Sequence, residues 1–360
     1  MVKRTWTSIW AKSVARGIKA LHKASLPARP RTTARKTKPA KPTKPPKRQP
    51  TPRPSAALVR VRATAEQDAG FWVPGLARGP TGVRRYRLYR PPGLKAGEQV
   101  PMVVMLHGCR QDADGFAAST RMNQVAARER FLVLYPEQDR LANAQGCWNW
   151  FDTRSGRAYA EAALVMAAVE QVCTLYPVDR QRVAVAGMSA GASMAALVAT
   201  RYPEHFKAVV MHSGIPPGTA HSTLTALRAM QGRRPTAPLP ATAATTAARW
   251  PPLLVIHGTL DSVVDVRNGR AAALLFAQAA SARATAPRRV QRGKRYATSL
   301  TDFKCKGATV VTLAEIARLG HAWSGGTAKL PFSDAKGPDA SRMVWAFASK
   351  QFGRSASAKP

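Results

Sequence analysis

A serine flanked by glycines stands between a predicted strand and a predicted helix. The pentapeptide Gly187-Met188-Ser189-Ala190-Gly191 follows the apolar run RVAVAG and opens the small-residue stretch AGASMAALVATRY. In that position a GxSxG sequence holds the serine hydroxyl on a sharp turn, where it can act as a nucleophile. The N-terminus of the following helix supplies positive potential for a developing oxyanion. A tight turn without chemical use is the alternative interpretation.

A nucleophilic serine needs a general base and an acid that orients the base. In serine hydrolases built on open α/β sheets, the acid and then the histidine follow the serine along the chain. Asp261 comes just after the predicted strand LLVIHG, where functional loops of such sheets gather. We therefore predict Asp261 as the acid that serves Ser189, with Asp265 as the alternative.

The base is predicted from its position among the seven histidines. His321 follows the apolar run TVVTLAEIA and stands after Asp261 on a new loop. His212 and His257 precede the acid at strand ends, which is typical of packed residues. The predicted triad is thus Ser189, Asp261 and His321, which is suited to hydrolysis of an ester through an acyl-enzyme.

Two backbone N–H groups are expected to bind the oxyanion. One belongs to Ala190, the residue after the nucleophile, and the other to the loop that follows VVMLHG. Within that loop Cys109 is the first choice and Arg110 the second.

Tryptophans near these motifs suggest an aromatic substrate surface. Trp148 and Trp150 lie in the segment CWNWF, and Trp323 follows the predicted base. Packing in the core is an equally good interpretation of each ring. No phosphate-binding loop, dinucleotide fingerprint or metal-binding cluster is visible in the sequence, so neither a cofactor nor a metal is predicted.

The elements that must position these residues alternate along the chain. Apolar runs predict strands at 83–92, 100–108, 131–136, 182–187, 206–214, 253–258 and 309–317. Helical patterns fall at 159–176, 190–202 and 339–352. This alternation predicts an α/β domain over 58–353, with a mostly parallel sheet covered by helices on both faces. Within it, 216–250 resembles a cap insertion and 281–308 looks basic and irregular, while 354–360 is expected to be disordered.

Charge is concentrated at the N-terminus. The chain has 56 Lys and Arg against 19 Asp and Glu, and residues 1–56 contain 16 of these bases and no acid. Residues 5–22 fit a basic amphipathic helix and 27–56 a disordered Lys/Pro-rich linker, which together form a tail over 1–57. Such a tail suits an anionic surface, such as a granule coat, nucleic acid or lipid, although a solvated tail without a partner fits equally well.

The sequence also gives expectations about the cellular compartment of the protein. It has no apolar run of 18 residues, so no membrane span is predicted, and charged residues interrupt the N-terminal segment too often for a signal peptide. An intracellular or granule-associated protein is favoured, with the extracellular region as the alternative. Of the four cysteines, Cys109 and Cys147 flank motifs of the same predicted site. A disulfide between them is possible, and two free thiols are the favoured interpretation.

Several motifs together resemble those of the polyhydroxybutyrate (PHB) depolymerase family of esterases, to which feruloyl and acetylxylan esterases are related. In order they are LHGCRQ, GCWNWF, YPVDRQRVAVAGMSAGASMA, HSGIPPG, HGTLDSVV and GHAWSGG, and the resemblance spans about residues 80–352. It implies an α/β-hydrolase fold, the triad Ser189, Asp261 and His321, and cofactor-free hydrolysis of short hydroxyalkanoate esters. A feruloyl or acetylxylan esterase, or a granule- or nucleic-acid-binding protein on a hydrolase scaffold, are the alternatives.

Overall fold

The computed structural model describes residues 70–236 and 250–357. The predicted tail over 1–57, with its amphipathic helix at 5–22, lies outside the described residues. So does most of the second half of the predicted cap insertion, at 237–249.

A large sheet of eleven strands forms the centre of the described chain. Its strands are β1 (Phe71–Gly79), β2 (Gly82–Arg90), β3 (Val100–Leu106), β4 (Leu132–Pro136), β5 (Val178–Met188), β6 (Ala208–His212), β7 (Leu253–Gly258), β8 (Arg283–Ala284), β9 (Arg288–Val290), β10 (Thr298–Cys305) and β11 (Ala308–Ile316). They are ordered β1-β2-β4-β3-β5-β6-β7-β11-β10-β8, and β9 also pairs with β10. A separate pair joins β12 (Trp323–Ser324) to β13 (Ser333–Asp334).

The middle of this sheet is parallel, from β4 through β3, β5, β6 and β7 to β11. Every residue of β3, β4, β6 and β7 is buried. Strands that are covered on both faces have no polar side, which explains why these segments are continuous apolar runs in the sequence. The predicted mostly parallel sheet is therefore confirmed.

Helices cover both faces of the sheet. They are α1 (Ala113–Thr120), α2 (Met122–Glu129), α3 (Arg157–Leu175), α4 (Ala190–Arg201), α5 (Thr223–Met230), α6 (Arg267–Ala279) and α7 (Ala340–Ser357), with a 3-10 turn at Pro203–His205. The buried apolar side chains of α3, α4, α5 and α6 contribute to one core cluster. Those of α1, α2 and the first half of α7 contribute to another, and Ala348 and Phe352 of α7 belong to a third, small cluster. Alternate residues of β3 supply the first two clusters, with Val104 in the first and Val103 in the second.

One helix is long and apolar enough to cross a membrane by length and composition alone. This is α3, of which half is buried inside the described fold. It packs on β1, β2 and β5, and its buried residues belong to the main core. These contacts are those of a core helix in a folded domain.

The segment 281–308, which the sequence suggests is irregular, instead forms β8, β9 and the whole of β10. Both β8 and β9 are short and fully exposed at the sheet edge. Basic residues are tolerated on an exposed edge strand and discourage pairing with another chain, so the apolar alternation that marks a strand is missing there. The sequence interpretation also omitted β1, α1, α2 and α6, and α5 lies within the predicted cap insertion.

A disulfide joins Cys109, just after β3, to Cys147, in the segment between β4 and α3. The favoured interpretation of two free thiols is therefore wrong for this pair, since the fold brings the two Cα atoms to 4.3 Å. Sequence spacing alone does not show that distance. Cys173 and Cys305 are free thiols.

Replacing Cys109→Ser together with Cys147→Ser should lower the free energy of unfolding. The bridge spans a sequence separation of 38 residues, and closing such a loop in the unfolded chain is worth about 4 kcal/mol. Urea unfolding of the oxidised protein and of the double variant measures the difference. Cys173→Ser is the matched control, because it removes a thiol and no bridge. Equal stability of all three proteins would contradict the disulfide.

Candidate active site

Ser189 occupies the turn between β5 and α4 in a strained backbone conformation. Its φ of 56° and ψ of −122° are unusual for a residue with a side chain, and such strain is typical of functional positions. The glycines on either side make the turn possible. A Cβ on Gly191 would lie 2.1 Å from the carbonyl oxygen of Leu106, and one on Gly187 would lie 2.3 Å from that of Gly191. The close approach of α4 to β3 therefore requires Gly191, and the close approach of α4 to β5 requires Gly187.

Asp261 and His321 meet on the loops that follow β7 and β11. The Nδ1 of His321 lies 2.8 Å from Oδ2 of Asp261. The other carboxylate oxygen, Oδ1, accepts hydrogen bonds from the N–H groups of Val263 at 3.0 Å and Val264 at 2.8 Å. The carboxylate is thus fixed from two sides, and it orients the imidazole of His321.

The environment of Asp261 keeps its carboxylate ionised. Burial alone would raise the pKa, but the hydrogen bond to His321, the nearby imidazoles and the Val264 N–H outweigh it and hold the pKa of Asp261 below its ordinary value. An ionised carboxylate with no exposed side-chain surface stabilises positive charge on the imidazole it contacts.

Asp265, the alternative acid, does not share this position. Its carboxylate binds Arg267, with Oδ1 2.9 Å from Nε, and a third of its side chain is exposed. His321 is therefore in contact with Asp261 and not with Asp265, and the role of Asp261 as the triad acid stays a prediction.

His212, at the end of β6, connects Ser189, the predicted nucleophile, to the loop of the predicted base. Its carbonyl oxygen accepts the N–H of Ser189 at 2.9 Å, and its Nε2 accepts the N–H of Ser324 at 3.1 Å. The ring also stacks on Trp323, with centroids 5.0 Å apart. The side chain and the backbone of His212 thus fix the distance between the turn of Ser189 and the loop that carries His321. The sequence alone predicts that His212 is a packed residue. The only sequence signal of its linking role is its place at the end of the strand beside β5.

His212 is held neutral by this arrangement. Burial is the main reason that its pKa falls to about 3; electrostatic interaction with the rings of His257 and His321 acts in the same direction, and Asp261 opposes it. An Nε2 that accepts a hydrogen bond cannot carry a proton, so the proton lies on Nδ1, which is 3.2 Å from Oγ of Ser213.

His257, at the end of β7, approaches Asp261 at the same carboxylate oxygen that His321 contacts. Its Nε2 lies 2.9 Å from the carbonyl oxygen of Val264 and 3.5 Å from Oδ2 of Asp261. Burial lowers its pKa, and Nε2 donates to Val264, which places the proton on that nitrogen. Nδ1 has no hydrogen-bond partner among the described residues, and Gly269 packs against it, since a Cβ there would lie 2.7 Å away.

The loop after β3, which is predicted to supply an oxyanion donor, passes beside Ser189. A Cβ on Gly108 would lie 3.6 Å from Cβ of Ser189. The N–H of Arg110, the second choice of donor, is already used, because it donates to the carbonyl oxygen of Gln145 at 2.8 Å. The N–H of Cys109 has no such acceptor within the part of the chain that the structure describes.

The predicted aromatic substrate surface is largely absent. Trp148 and Trp323 have no exposed area. Their indole N–H groups are also used, by the carbonyl oxygen of His107 at 2.9 Å and by Oγ of Ser341 at 3.2 Å. These two rings pack in the core, which is the alternative interpretation of the sequence. Trp150 is 8% exposed, and its contact with substrate stays a prediction.

The side chains gathered at this edge of the sheet suit acyl transfer. They comprise a hydroxyl on a strained turn, an imidazole oriented by a carboxylate, and backbone N–H groups beside the hydroxyl. Within residues 70–236 and 250–357, no group of three or more His, Cys, Asp or Glu could hold a metal ion.

His212→Phe should make the stability of the protein less sensitive to acid. The folded pKa of His212 lies below that of an unfolded histidine, near 6.5, so the unfolded state binds more protons as the pH falls. The stability present above about pH 6.5 is then lost at about 1.4 kcal/mol per pH unit. Phenylalanine keeps the ring but cannot titrate, so the loss between about pH 7 and pH 5 should shrink by about 2 kcal/mol.

Urea unfolding at the two pH values measures this difference. His221→Gln is the control, because it removes a half-buried histidine that takes no part in the contacts of His212 described above. If His212→Phe loses as much stability as the parent protein on acidification, His212 is not held neutral in the fold.

Known proteins resemble this chain over part of their length. Poly(3-hydroxyalkanoate) depolymerase C of Paucimonas lemoignei is 34% identical over 141 residues, which are 39% of this chain and 33% of that protein. Feruloyl esterase B of Neurospora crassa is 30% identical over 166 residues, or 46% of this chain and 55% of that protein. The matched region thus spans between a third and about half the length of these relatives.

A solved structure shares the fold. The acetyl xylan esterase from Aspergillus awamori superposes with a TM-score of 0.55 at 20% identity, covering 70% of this chain and 93% of that one. Together with the mostly parallel sheet, this likeness confirms the α/β-hydrolase fold. The family model described as esterase PHB depolymerase matches residues 84–295. Because that match covers more than half of the sequence, the chain belongs to the PHB depolymerase family of esterases.

Proposed function

We propose that this chain is a serine esterase in which Ser189, His321 and Asp261 hydrolyse a carboxylic ester through an acyl-enzyme. The observation that carries the proposal is the 2.8 Å contact between His321 and Asp261, on a loop that His212 ties to the strained turn of Ser189. The combination of a φ of 56° with a ψ of −122° at Ser189 also supports the proposal, because strained backbone is typical of functional positions.

The chemistry follows from the groups at this edge. His321 accepts the hydroxyl proton of Ser189 as Oγ attacks the ester carbonyl, and the ionised Asp261 stabilises the imidazolium that forms. The tetrahedral intermediate collapses, the imidazolium gives its proton to the leaving alcohol, and the acyl group remains on Ser189. Water then attacks the acyl-enzyme with the same base, which releases the acid.

The N–H groups of Cys109 and Ala190 are the proposed oxyanion donors. Ala190 is the first residue of α4, and the first N–H groups of a helix have no acceptor within it. The disulfide of Cys109 with Cys147 restrains the loop that carries the other donor. Such a donor, fixed before the reaction, is typically worth about 3 kcal/mol of transition-state stabilisation.

Short hydroxyalkanoate esters are the proposed substrates. A feruloyl group would need a free aromatic or broad apolar wall, and the rings of Trp148 and Trp323 are buried. The exposed apolar side chain next to the acid is Leu260, which is 65% exposed and suits a small aliphatic group. The matches to a feruloyl esterase and an acetyl xylan esterase keep ester groups on plant polysaccharides as the second candidate.

The basic tail and the compartment complete the proposal. Attachment of residues 1–56 to an anionic surface rests on their charge, since they lie outside the described residues. The disulfide between Cys109 and Cys147 favours an oxidising compartment, and therefore the extracellular alternative over the intracellular one.

Hydrolysis of an ester series tests the proposal. The parent protein should hydrolyse p-nitrophenyl acetate, hydroxybutyrate oligomers and methyl ferulate at different rates, with the highest kcat/KM for the hydroxybutyrate oligomers. Ser189→Ala should lose at least about 10⁴-fold in kcat, because the nucleophile is removed. Ser349→Ala is the matched control, since it removes a hydroxyl from α7, on the other face of the sheet from α4.

Each outcome separates one part of the proposal. Equal activity of Ser189→Ala and the parent protein would refute the nucleophile. Turnover that depends on Ser189 but is highest for methyl ferulate would keep the mechanism and replace the substrate class.

A further inference from the structure

A groove with an arginine-rich rim lies on the face of the sheet covered by α1, α2 and α7. Its cavity volume is about 590 Å³, which is within the range of pockets that hold small ligands. Five arginines are among the residues that line it: Arg121, Arg128, Arg292, Arg295 and Arg342. The guanidinium of Arg121 also donates to the carbonyl oxygen of Gly325. We refer to this groove as the arginine groove. None of the three proposed triad residues lines it.

The rim carries positive charge that the described protein does not neutralise. Asp339 is the only carboxylate among the lining residues, and it lies 3.7 Å from Arg342. Arg128 and Arg292 form no ion pair with any residue that the structure describes. Arg295 donates to the carbonyl oxygen of Gly337 at 2.6 Å, which fixes the guanidinium without cancelling its charge. An anionic group placed in the groove would meet several cations and one carboxylate that is already paired.

Between the arginines the groove is aliphatic. Its lining includes Val125, Leu300 and Met343, of which the last two are only partly buried against the core below. Val290, on the edge strand β9, is 38% exposed. A ligand that fits must therefore bring an apolar body as well as a negative charge, because its apolar part would cover surface that water now contacts.

These two properties select the chemical class of the ligand. Single-stranded nucleic acid would be bound with aromatic side chains that stack on its bases. The only aromatic residue lining the groove is Tyr296, and the guanidinium of Arg318 lies over its ring at 5.5 Å. A concave groove also suits a discrete molecule better than a flat lipid surface. We infer that the arginine groove binds the carboxylate end of an aliphatic acyl chain.

Two sources supply such a carboxylate. One is a free fatty acid, and the other is the hydroxyacyl oligomer that an esterase releases. Both bring a carboxylate, which arginine binds by charge-assisted, often bidentate hydrogen bonds, and an aliphatic chain for the floor. Binding requires no turnover at Ser189, so this inference is independent of the proposed function.

Titration calorimetry of the full chain tests the inference, with octanoate, the trimer of 3-hydroxybutyrate and, as the uncharged probe, octanamide. Octanoate or the trimer, or both, should bind at one site, and octanamide should bind at least about tenfold more weakly, because it lacks the charge. The double variant Arg128→Gln with Arg292→Gln should weaken carboxylate binding by about tenfold or more. Arg289→Gln is the matched control, since Arg289 is an exposed base in the edge strand β9 and does not line the groove.

The outcomes decide both the site and the source. Binding of octanoate alone assigns the groove to fatty acids, and binding of the trimer alone assigns it to the products of ester hydrolysis. Absence of binding by both carboxylates overturns the inference. Equal binding to the double variant and to Arg289→Gln also overturns it, because the anions would then be held elsewhere on this basic chain.

Discussion

The hydrogen bond between His321 and Asp261 is the contact on which the rest of the proposed site depends. An imidazole next to a serine is a base only if its ring is oriented, and a carboxylate can orient it only if it stays ionised while buried. Asp261 meets that condition because two backbone N–H groups and the His321 ring stabilise its charge. The parallel strands β5, β6, β7 and β11 end at the same edge, so residues far apart in sequence meet there.

Two neutral histidines fix the loops at this edge of the sheet relative to one another. His212 connects the turn of Ser189 to the loop of His321, and His257 packs under Asp261. Each uses its ring as a hydrogen-bonding group of fixed tautomer, which is possible only because burial keeps the rings uncharged. Of the three imidazoles at this edge, His212 and His257 thus act as structural supports, and His321 is the one that we propose for proton transfer.

The sequence predicts much of this arrangement because its signals are local. Continuous apolar runs mark buried parallel strands such as β3 and β7, and the glycines around Ser189 mark a turn where a Cβ would collide with β3. The features that the sequence does not predict depend on which residues lie close together in the folded chain. The pairing of Cys109 with Cys147, the link made by His212 and the burial of Trp148 and Trp323 all follow from tertiary packing, which spacing along the chain does not encode. The exposed edge strands β8 and β9 were missed because an edge strand in contact with water needs no apolar alternation.

Covalent labelling with a fluorophosphonate, followed by mass spectrometry of the modified peptide, tests the proposed nucleophile most directly. The adduct should form rapidly on Ser189, and His321→Gln should slow its formation strongly, because the serine is activated only by its base. Label on another residue, or a folded protein that is not labelled, would contradict the assignment of Ser189, His321 and Asp261 as a catalytic triad.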